Sequence, residues 1–449
     1  MEPLDGWDQP FSGCSTGGHR LTWAQRSLAD LSPDIGNDGL AVATQVFGAL
    51  PEGLRIDQVR EAVGHAVARH ESLRTRYEPE VTETRQAFVA GEGRVRLSAF
   101  EAGGRDPETV ANEVAAGLAA DLFTPEELPV RPAVILDGGR PSAVALAVRH
   151  ASADGLAGDL ILEAIREACR PSGNAPSAAW TPAELAAFEA SPEGRAQAVR
   201  SGDYLTDALT VMVDSSCTRR GPASQGTRAG LLIAAGAAEA VRHLARHHRV
   251  SEAMVFTAAH GRVLGRLAGS SVVAVQTATA NRGRTQLRAS VAHLTQLVPA
   301  VLDVSSASFG DACRASGLAL MKAAQVGHHD PDMLRAAVDR VRHETGTDPK
   351  PAYSLNLRAL RPTELRLHHV TRDRREDAEP PPAYSDFLVE KDRPPMDLGF
   401  AVWGLNENLE LSAAADAALF SGEELRALLQ EVADEILHAA EEAGWKAEA

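Results

Sequence analysis

The chain has 449 residues, a formal net charge of −16 at pH 7 and a hydrophobic fraction of 44%. This hydrophobic fraction is typical of a globular protein and excludes a disordered one, and the length suffices for two domains with a large core. The acidic charge argues against a nucleic-acid binder, which needs a basic face.

The sequence contains no recognisable membrane span or targeting segment. No run of about eighteen apolar residues occurs, and residues 1–18 are polar and glycine-rich, without a signal-peptide pattern. The expected location is the cytoplasm. The four cysteines are scattered without metal-ligand spacing, so we expect buried reduced thiols and no bound metal.

Apolar periodicity predicts an alternation of helices and strands, which indicates an α/β fold. The predicted elements are helices at 56–70 and 110–122, strands at 130–136 and 143–148, a helix from Leu156, a strand at 230–234, helices at 237–247 and 252–267, a strand at 272–277, and a helix at 421–440 that starts with a capping box between Ser421 and Glu424.

Composition also predicts where the chain divides. Residues 170–182 are rich in proline, serine and glycine, which is typical of a linker. The predicted domains are therefore an N-terminal subdomain, 1–175, and a C-terminal subdomain, 176–449. A second segment, 372–382, is charged and then proline-rich, which predicts a mobile loop.

Chemistry concentrates in the segment Arg149–Gly155, which directly follows the predicted strand 143–148. The segment places an imidazole, His150, at the strand end, with Asp154 and Gly155 before the next helix. A histidine at the end of a rigid strand is well placed to move the proton of a bound hydroxyl, amine or thiol.

Other histidines are interpreted as ordinary surface residues. His243 and His247 have the helical i, i+4 spacing of a metal pair, but the arginines around them would repel a cation, so we expect a solvated helix face. The pairs His328-His329 and His368-His369 lie in polar contexts and are also predicted to be exposed.

The H-x-x-x-D-G spacing of residues 150–155 resembles the signature of chloramphenicol acetyltransferase-like acyltransferases, and among these the condensation domains of nonribosomal peptide synthetases. Further motifs resemble that family in the same order along the chain. They are LTWAQ at 21–25, RHESLRTRY at 69–77, Ala280-Asn281-Arg282, the apolar stretch 291–301, SLNL at 354–357, and Met396-Asp397-Leu398 with Leu409-Glu410-Leu411.

The resemblance implies two acyltransferase-like sandwich halves that form a V-shaped pseudo-dimer with a central tunnel. It implies condensation: an acyl or aminoacyl group passes from a thioester to an amine or alcohol, giving an amide or an ester in natural-product biosynthesis. No bound cofactor is expected. The donor would arrive on a phosphopantetheine arm, and a small molecule would serve as the nucleophile.

The resemblance also assigns roles to residues of this chain. The candidate catalytic group is His150 with Asp154 and Gly155; for Asp154 we favour a structural role, paired with Arg74 or, failing that, Arg69, and Gly155 is expected to serve the tight turn. The candidate supports of the loop are Arg74, Arg69 and Arg149, and the candidate tunnel or substrate-binding residues are Gln25, His293, Gln296 and Asn356.

Departures from the family pattern keep alternatives open. Arg149 stands where the family usually has a first histidine, and Ala292 and Gln296 replace a glycine and an asparagine. A usual aminoacyl-carrier acceptor is therefore in doubt, and a free amine or alcohol is the hypothesis we adopt. The alternatives are a coenzyme A-dependent acyltransferase of the same fold and a catalytically inactive domain that recruits a partner.

Partner expectations follow from the same resemblance. No carrier serine motif or adenylation motif is recognisable, so the chain is expected to be a free-standing enzyme that meets its acyl or peptidyl carrier protein in trans. Carrier proteins are usually acidic, so docking onto a chain of charge −16 should depend on a local patch of arginine and apolar residues. The expected state is a monomer without nucleic-acid or membrane partners.

Overall fold

The computed structural model describes residues 3–30, 42–78, 86–170, 179–214, 226–357, 384–389, 396–405 and 408–446. The chain forms two compact units. Unit 1 comprises Met1–Gln197 and Ala280–Gln296, and unit 2 comprises Ala198–Thr279 and Leu297–Ala449. The predicted boundary at 175/176, most of the predicted linker, the predicted loop 372–382, and the pair His368-His369 lie outside the described residues.

Strands and helices are interspersed along the chain, often in runs of two or more of the same kind. The strands are β1 Asp5–Ser12, β2 Gly17–Arg20, β3 Ala43–Ala49, β4 Thr75–Tyr77, β5 Gln86–Val89, β6 Glu92–Glu101, β7 Val130–Asp137, β8 Arg140–Arg149, β9 Thr227–Ala235, β10 Val272–Thr279, β11 Gln296–Asp303, β12 Tyr353–Leu357, β13 Tyr384–Val389, β14 Leu398–Leu405 and β15 Asn408–Asp416.

Each helix predicted from the sequence is present with ends that differ by a few residues at most, and five further helices among the described residues, at 23–30, 182–189, 192–214, 309–326 and 331–345, were not predicted. The helices are α1 Trp23–Asp30, α2 Ile56–Arg69, α3 Pro107–Ala119, α4 Gly155–Ala168, α5 Pro182–Glu189, α6 Pro192–Asp214, α7 Ala237–His248, α8 Glu252–Ala268, α9 Phe309–Val326, α10 Pro331–Thr345 and α11 Gly422–Glu442. The predicted capping box of α11 is confirmed, since the Ser421 hydroxyl accepts from the Glu424 N–H and the Glu424 carboxylate accepts from the Ser421 N–H.

Unit 1 is built on a sheet whose described strands have the order β1-β6-β7-β8-β3. Strand β8 is buried on both faces because successive side chains point to opposite sides of a strand. Val144, Leu146 and Val148 pack with α2 and α4 on one face, whereas Ala143 and Ala145 pack with α3 on the other. Burial on both faces explains the continuous apolar run that predicted this strand.

Unit 2 contains a larger mixed sheet, with the order β11-β10-β12-β14-β15-β9-β13 among the strands described. Strands β10, β12 and β14 pair in parallel, and β14, β15, β9 and β13 pair antiparallel. Helices α7, α8, α9 and α11 contribute their apolar faces to one core with this sheet. Each unit therefore has its own hydrophobic core.

Two expectations about single residues need correction. His328 and His329, predicted to be exposed, are buried in the segment between α9 and α10, because polar neighbours in sequence do not report where the tertiary fold places a side chain. Among the cysteines that the structure describes, Cys169 and Cys313 are buried as expected, but Cys14 is exposed.

Within the described ranges, none of the helices combines the length and the apolar character needed to cross a bilayer.

Candidate active site

The candidate site lies where β8 ends and α4 begins, entirely within unit 1. His150 follows the last residue of β8, and its backbone N–H donates to the Val42 carbonyl, 2.7 Å away, beside strand β3. The intervening loop residues Ala151, Ser152 and Ala153 are fully buried. The imidazole is therefore carried by a buried loop between β8 and α4, and the backbone of this loop is hydrogen-bonded to the residue before β3.

The ring of His150 is held through its Nδ1 atom. This atom lies 2.6 Å from the Thr44 hydroxyl and 3.1 Å from the Ala153 carbonyl oxygen, and the Thr44 hydroxyl donates to the same carbonyl at 2.9 Å. A carbonyl oxygen can only accept, so the network assigns the hydrogen to Nδ1. The lone pair is then on Nε2, the state required of a general base.

Asp154 is the anchor of the site. Its Oδ1 and Oδ2 each accept from one Nη atom of Arg282, at 2.9 Å in both cases. Oδ1 also accepts from the Ala157 N–H at 2.9 Å, which caps α4, and Oδ2 accepts from the Leu294 N–H and the Thr295 hydroxyl, both at 3.0 Å. One carboxylate thus joins the His150 loop, the start of α4 and the segment Ala280–Gln296.

These contacts decide between the two roles considered for Asp154. Burial by itself would raise the pKa of this carboxyl, but the charge and hydrogen bonds of Arg282 outweigh burial and hold the pKa below its usual value. The side chain is only 2% exposed and its oxygens are engaged by fixed donors. The contacts therefore support the structural role that we favoured for Asp154, and its place in the candidate catalytic group is corrected: it acts as a positioning residue.

The backbone conformation of the segment Ala280–Gln296 brings Arg282, Leu294 and Thr295 to this carboxylate. Asn281 has a left-handed backbone with φ of 53°, a conformation that asparagine tolerates better than most residues. Its side-chain amide donates to the Leu294 carbonyl at 2.8 Å, which ties the two ends of the segment together. This geometry explains why asparagine precedes arginine at 281–282.

A second imidazole lies beside His150 in this arrangement. The ring centroids of His150 and His293 are 4.7 Å apart, with an interplanar angle of 73°. Burial, followed by the adjacent His150, lowers the pKa of His293 to about 3, so this ring is neutral near pH 7. Of the four predicted tunnel residues, His293 is the one that the structure places in ring contact with His150.

Arg74 does not pair with Asp154, so that prediction is wrong. Its guanidinium donates to the carbonyl and hydroxyl oxygens of Ser15 and to the Ala90 carbonyl. Arg74 therefore fastens the N-terminal segment to the chain after β5. Arg69, the second choice as partner of Asp154, is half-buried at the last residue of α2.

Arg149 and Gln25 both support the His150 loop. The Arg149 guanidinium donates to the carbonyl oxygens of Phe123 and Thr124, at 2.9 and 2.8 Å. The Gln25 side-chain amide donates to the Ala151 carbonyl at 2.9 Å, directly next to His150. Gln25 was predicted as a tunnel or substrate-binding residue, but it is 1% exposed and supports the loop that carries His150.

The three remaining candidate residues, Gln296, Asn356 and Gly155, lie in different environments. Gln296 is buried, and its side-chain amide donates to the Ser27 hydroxyl at 2.9 Å. Asn356 is half-buried on β12 of unit 2, opposite Ala401. Gly155 is the first helical residue of α4, and a Cβ there would meet open space. The expectation that a tight turn requires this glycine is therefore wrong, since the backbone is helical.

His243 and His247, the pair on α7 with metal-like spacing, contact the backbone near the C-terminus and each other. His243 Nε2 lies 3.1 Å from the Ala443 carbonyl oxygen, and the rings of His243 and His247 stack with centroids 5.9 Å apart. Of the side chains that the structure describes, no three His, Cys, Asp or Glu are arranged to hold a metal ion.

Two residues of the site were missed by sequence reasoning. Thr44 is an ordinary strand residue in sequence, and nothing local marks it as the hydroxyl that bonds His150. Arg282 lies in the recognised Ala280-Asn281-Arg282 motif, which was a usable signal, but its pairing with Asp154 depends on how the chain folds back.

Comparison with known proteins decides the family. The Condensation domain model matches residues 36–444. This chain belongs to the condensation domain family. Membership supports condensation or acyl-transfer chemistry in general terms. No curated protein matches the chain in sequence.

Solved structures of condensation domains share the fold. The SgcC5 protein of Streptomyces globisporus, in complex with (R)-(-)-1-(2-naphthyl)-1,2-ethanediol and sucrose, has a TM-score of 0.69 at 19% identity, over 94% of this chain and 98% of that one. The condensation domain described for chain release from the enacyloxin polyketide synthase has a TM-score of 0.71 at 19% identity, over 98% and 85%.

A third similar structure is the first condensation domain of the calcium-dependent antibiotic synthetase in complex with a substrate analogue. Its TM-score is 0.66 at 18% identity, over 96% of this chain and 98% of that one. At these identities the likeness shows the fold alone. The predicted α/β condensation fold is confirmed, while the V shape and the tunnel stay predictions.

Proposed function

We propose that this protein is a free-standing condensation enzyme. It transfers an acyl or aminoacyl group from the thioester of a carrier protein, supplied in trans, to an amine or alcohol and so makes an amide or an ester in natural-product biosynthesis. The observation that carries the proposal is the imidazole of His150, held at the end of β8 with its hydrogen on Nδ1.

The chemistry needs one base and an already activated acyl group. Nε2 of His150 takes the proton of the amine or hydroxyl while its nitrogen or oxygen attacks the thioester carbonyl. The tetrahedral intermediate then collapses, the C–S bond breaks, and the imidazolium returns the proton to the departing thiolate. The products are the acylated acceptor and a free thiol, so no nucleophilic serine or cysteine is required.

The structural supports of His150 fit this role. Asp154 is engaged by Arg282 and keeps the loop in place, while Thr44 and Ala153 hold the hydrogen on Nδ1. Gly155, the first residue of α4, is exposed directly after this loop. The N–H of Gly155 is a candidate donor to the developing oxyanion.

The test is product formation followed by mass spectrometry. Wild type and His150→Ala each receive an acyl-loaded carrier protein with a panel of amines and alcohols, and the matching coenzyme A thioester in parallel. We expect product with the carrier and a loss of about 10²- to 10⁴-fold in the variant, the range for removing a general base. The matched control is His438→Ala, since His438 is 74% exposed on α11.

The other outcomes contradict the proposal in distinguishable ways. Product from the coenzyme A thioester alone would make the protein a coenzyme A-dependent acyltransferase. An unchanged rate in His150→Ala, or carrier binding with no product, would favour a catalytically inactive, partner-recruiting domain.

A further inference from the structure

His293 lies in contact with the base that the proposed function uses. Its ring meets that of His150 in an edge-to-face arrangement, with centroids 4.7 Å apart and planes at 73°. The side chain is only 4% exposed. Aromatic rings at this distance and angle attract one another.

The backbone around His293 is anchored to the same carboxylate that fixes the loop of His150. Leu294 and Thr295, which directly follow His293, donate to Asp154, and Arg282 pairs with it from the start of the segment. Asp154 in turn lies four positions after His150. The backbone segments that carry the two imidazoles are therefore both fixed by hydrogen bonds to Asp154 or by its position in the loop.

Apolar packing supports the same segment from its other side. The side chains of Ala292 and Leu294, on either side of His293, belong to a small core with Leu185 of α5 and with Leu287. The backbone on both sides of His293 is therefore held by buried hydrogen bonds and by packing, which fixes the position from which its side chain extends.

The protonation state of His293 limits what it can do. Burial, with the neighbouring His150, lowers its pKa to about 3. A ring with this pKa stays neutral at pH 6–9 and is too weak a base to serve as an alternative to His150. What the structure shows for His293 is its ring contact with His150.

We propose that His293 is a positioning residue for the condensation reaction: its ring fixes the rotation of the His150 ring, so that Nε2 keeps one direction toward the nucleophile. Thr44 and Ala153 hold one edge of His150 through Nδ1, and His293 provides the ring contact. This inference rests on the proposed function, in which His150 is the base.

The test compares His293→Ala with His293→Phe, since phenylalanine retains a ring for the edge-to-face contact. We expect His293→Ala to lower kcat by about 10- to 100-fold, the scale of a misplacement of about 1 Å, with a small change in KM. His293→Phe should recover most of kcat. The shape of the kcat–pH profile should be the same in all three proteins.

His260 provides a matched control. It is 1% exposed, its pKa is lowered by burial to about 4, and its ring meets Phe400 with centroids 5.1 Å apart at 71°. His260→Ala removes an equivalent buried ring from unit 2. Per folded molecule, its kcat should equal that of the wild type, which separates positioning from general stability.

Nuclear magnetic resonance of the His150 ring adds a readout that does not depend on turnover. In wild type we expect the Nδ1–H tautomer with one set of ring resonances, and in His293→Ala a broadened or tautomerically mixed signal. Unchanged His150 resonances and unchanged kcat in His293→Ala would overturn the inference. So would a rise in KM alone, or a phenylalanine variant no better than alanine.

The two proposals fail differently. If wild type makes no product, or if His150→Ala is as active as wild type, the proposed function is wrong. The resonances of His150 still test the contact with His293 in that case. If His150 is required but His293→Ala is fully active, only the positioning role is wrong.

Discussion

At the scale of single residues, the basicity of His150 depends on which nitrogen carries the hydrogen. The Ala153 carbonyl accepts hydrogen bonds from both the Thr44 hydroxyl and the imidazole Nδ1, so the pair of contacts selects one tautomer. Removing the hydroxyl would leave this selection to the carbonyl alone. Under the proposed function, Thr44 is therefore a positioning residue that acts through the tautomer of His150.

Thr44→Val tests this contribution, because valine has nearly the shape of threonine but has no hydroxyl. A neutral hydrogen bond is worth about 0.5–1.5 kcal/mol, so we expect kcat to fall by about 2- to 10-fold. Thr44→Ser, which retains the hydroxyl, should keep most of the wild-type rate. Steady-state kinetics of the three proteins checks this, and equal kcat values for valine and serine variants would contradict it.

Asp154 lies four residues after the candidate base, and a carboxylate at this position could be expected to transfer protons. Its contacts argue against that role. The carboxylate accepts from a guanidinium, two backbone N–H groups and a hydroxyl, all within 3.0 Å. Its depressed pKa, with Arg282 outweighing burial, keeps it ionised at neutral pH. A carboxylate satisfied in this way stabilises geometry and does not exchange protons with a substrate.

At the scale of elements, the contact between Arg282 and Asp154 joins the segment Ala280–Gln296 to the start of α4. The exposed fractions of the two side chains are 10% and 2%, so solvent screens the pair very little. Removing one partner of a buried ion pair leaves the other charge buried and unpaired. Together with the hydrogen bonds from Leu294 and Thr295 to Asp154, this ion pair therefore holds together the elements that carry His150 and His293.

Arg282→Gln should lower the free energy of unfolding by about 3–5 kcal/mol, the range for breaking a buried pair. The matched control is Arg284→Gln on the same segment: Arg284 pairs with Glu193, but these side chains are 36% and 66% exposed. For this exposed pair we expect a loss of at most about 1 kcal/mol. Urea unfolding of both variants checks the contrast, and equal losses would contradict it.

At the scale of the whole molecule, buried neutral histidines make stability depend on pH. Burial lowers the pKa of His260 and His329 to about 4 and that of His293 to about 3, from an ordinary value of 6.5. Between these values the unfolded chain binds protons that the folded protein does not. The stabilisation is therefore complete above pH about 6.5 and falls as the pH is lowered toward 4.

The predicted slope is up to about 1.4 kcal/mol per pH unit for each such histidine. His260→Phe removes one titrating group while keeping a ring against Phe400, so its urea midpoint should depend less steeply on pH than that of the wild type between pH 6.5 and 4.5. The exposed His438→Phe serves as the control. Parallel pH dependences for wild type and His260→Phe would show that burial of His260 does not contribute to the pH dependence of the free energy of unfolding.

Asp154 contributes a separate acid dependence. Because its folded pKa is depressed, its stabilising effect is complete above the ordinary carboxyl value of 3.8 and is lost as the pH falls through the lowered value. This window lies below that of His260 and His329, whose folded pKa values are about 4.

The sequence by itself determined the elements that frame the site. The apolar run of β8, the period of α4 and the Ser421 capping box depend on neighbouring residues, so local patterns located them to within a few positions. The ordered motifs also identified the family and singled out His150, because a motif keeps its residue types at fixed spacing.

Only the tertiary structure decided which groups meet at His150. Asp154 and Arg282 are 128 positions apart, and Thr44 and His150 are 106 apart. Arg74, an arginine of another recognised motif, was the wrong partner for Asp154, and Gln25, predicted to line the tunnel or bind substrate, supports the His150 loop instead. Such pairings depend on chain topology and on the desolvation of buried charge, and neither is encoded in the residues adjacent to a motif.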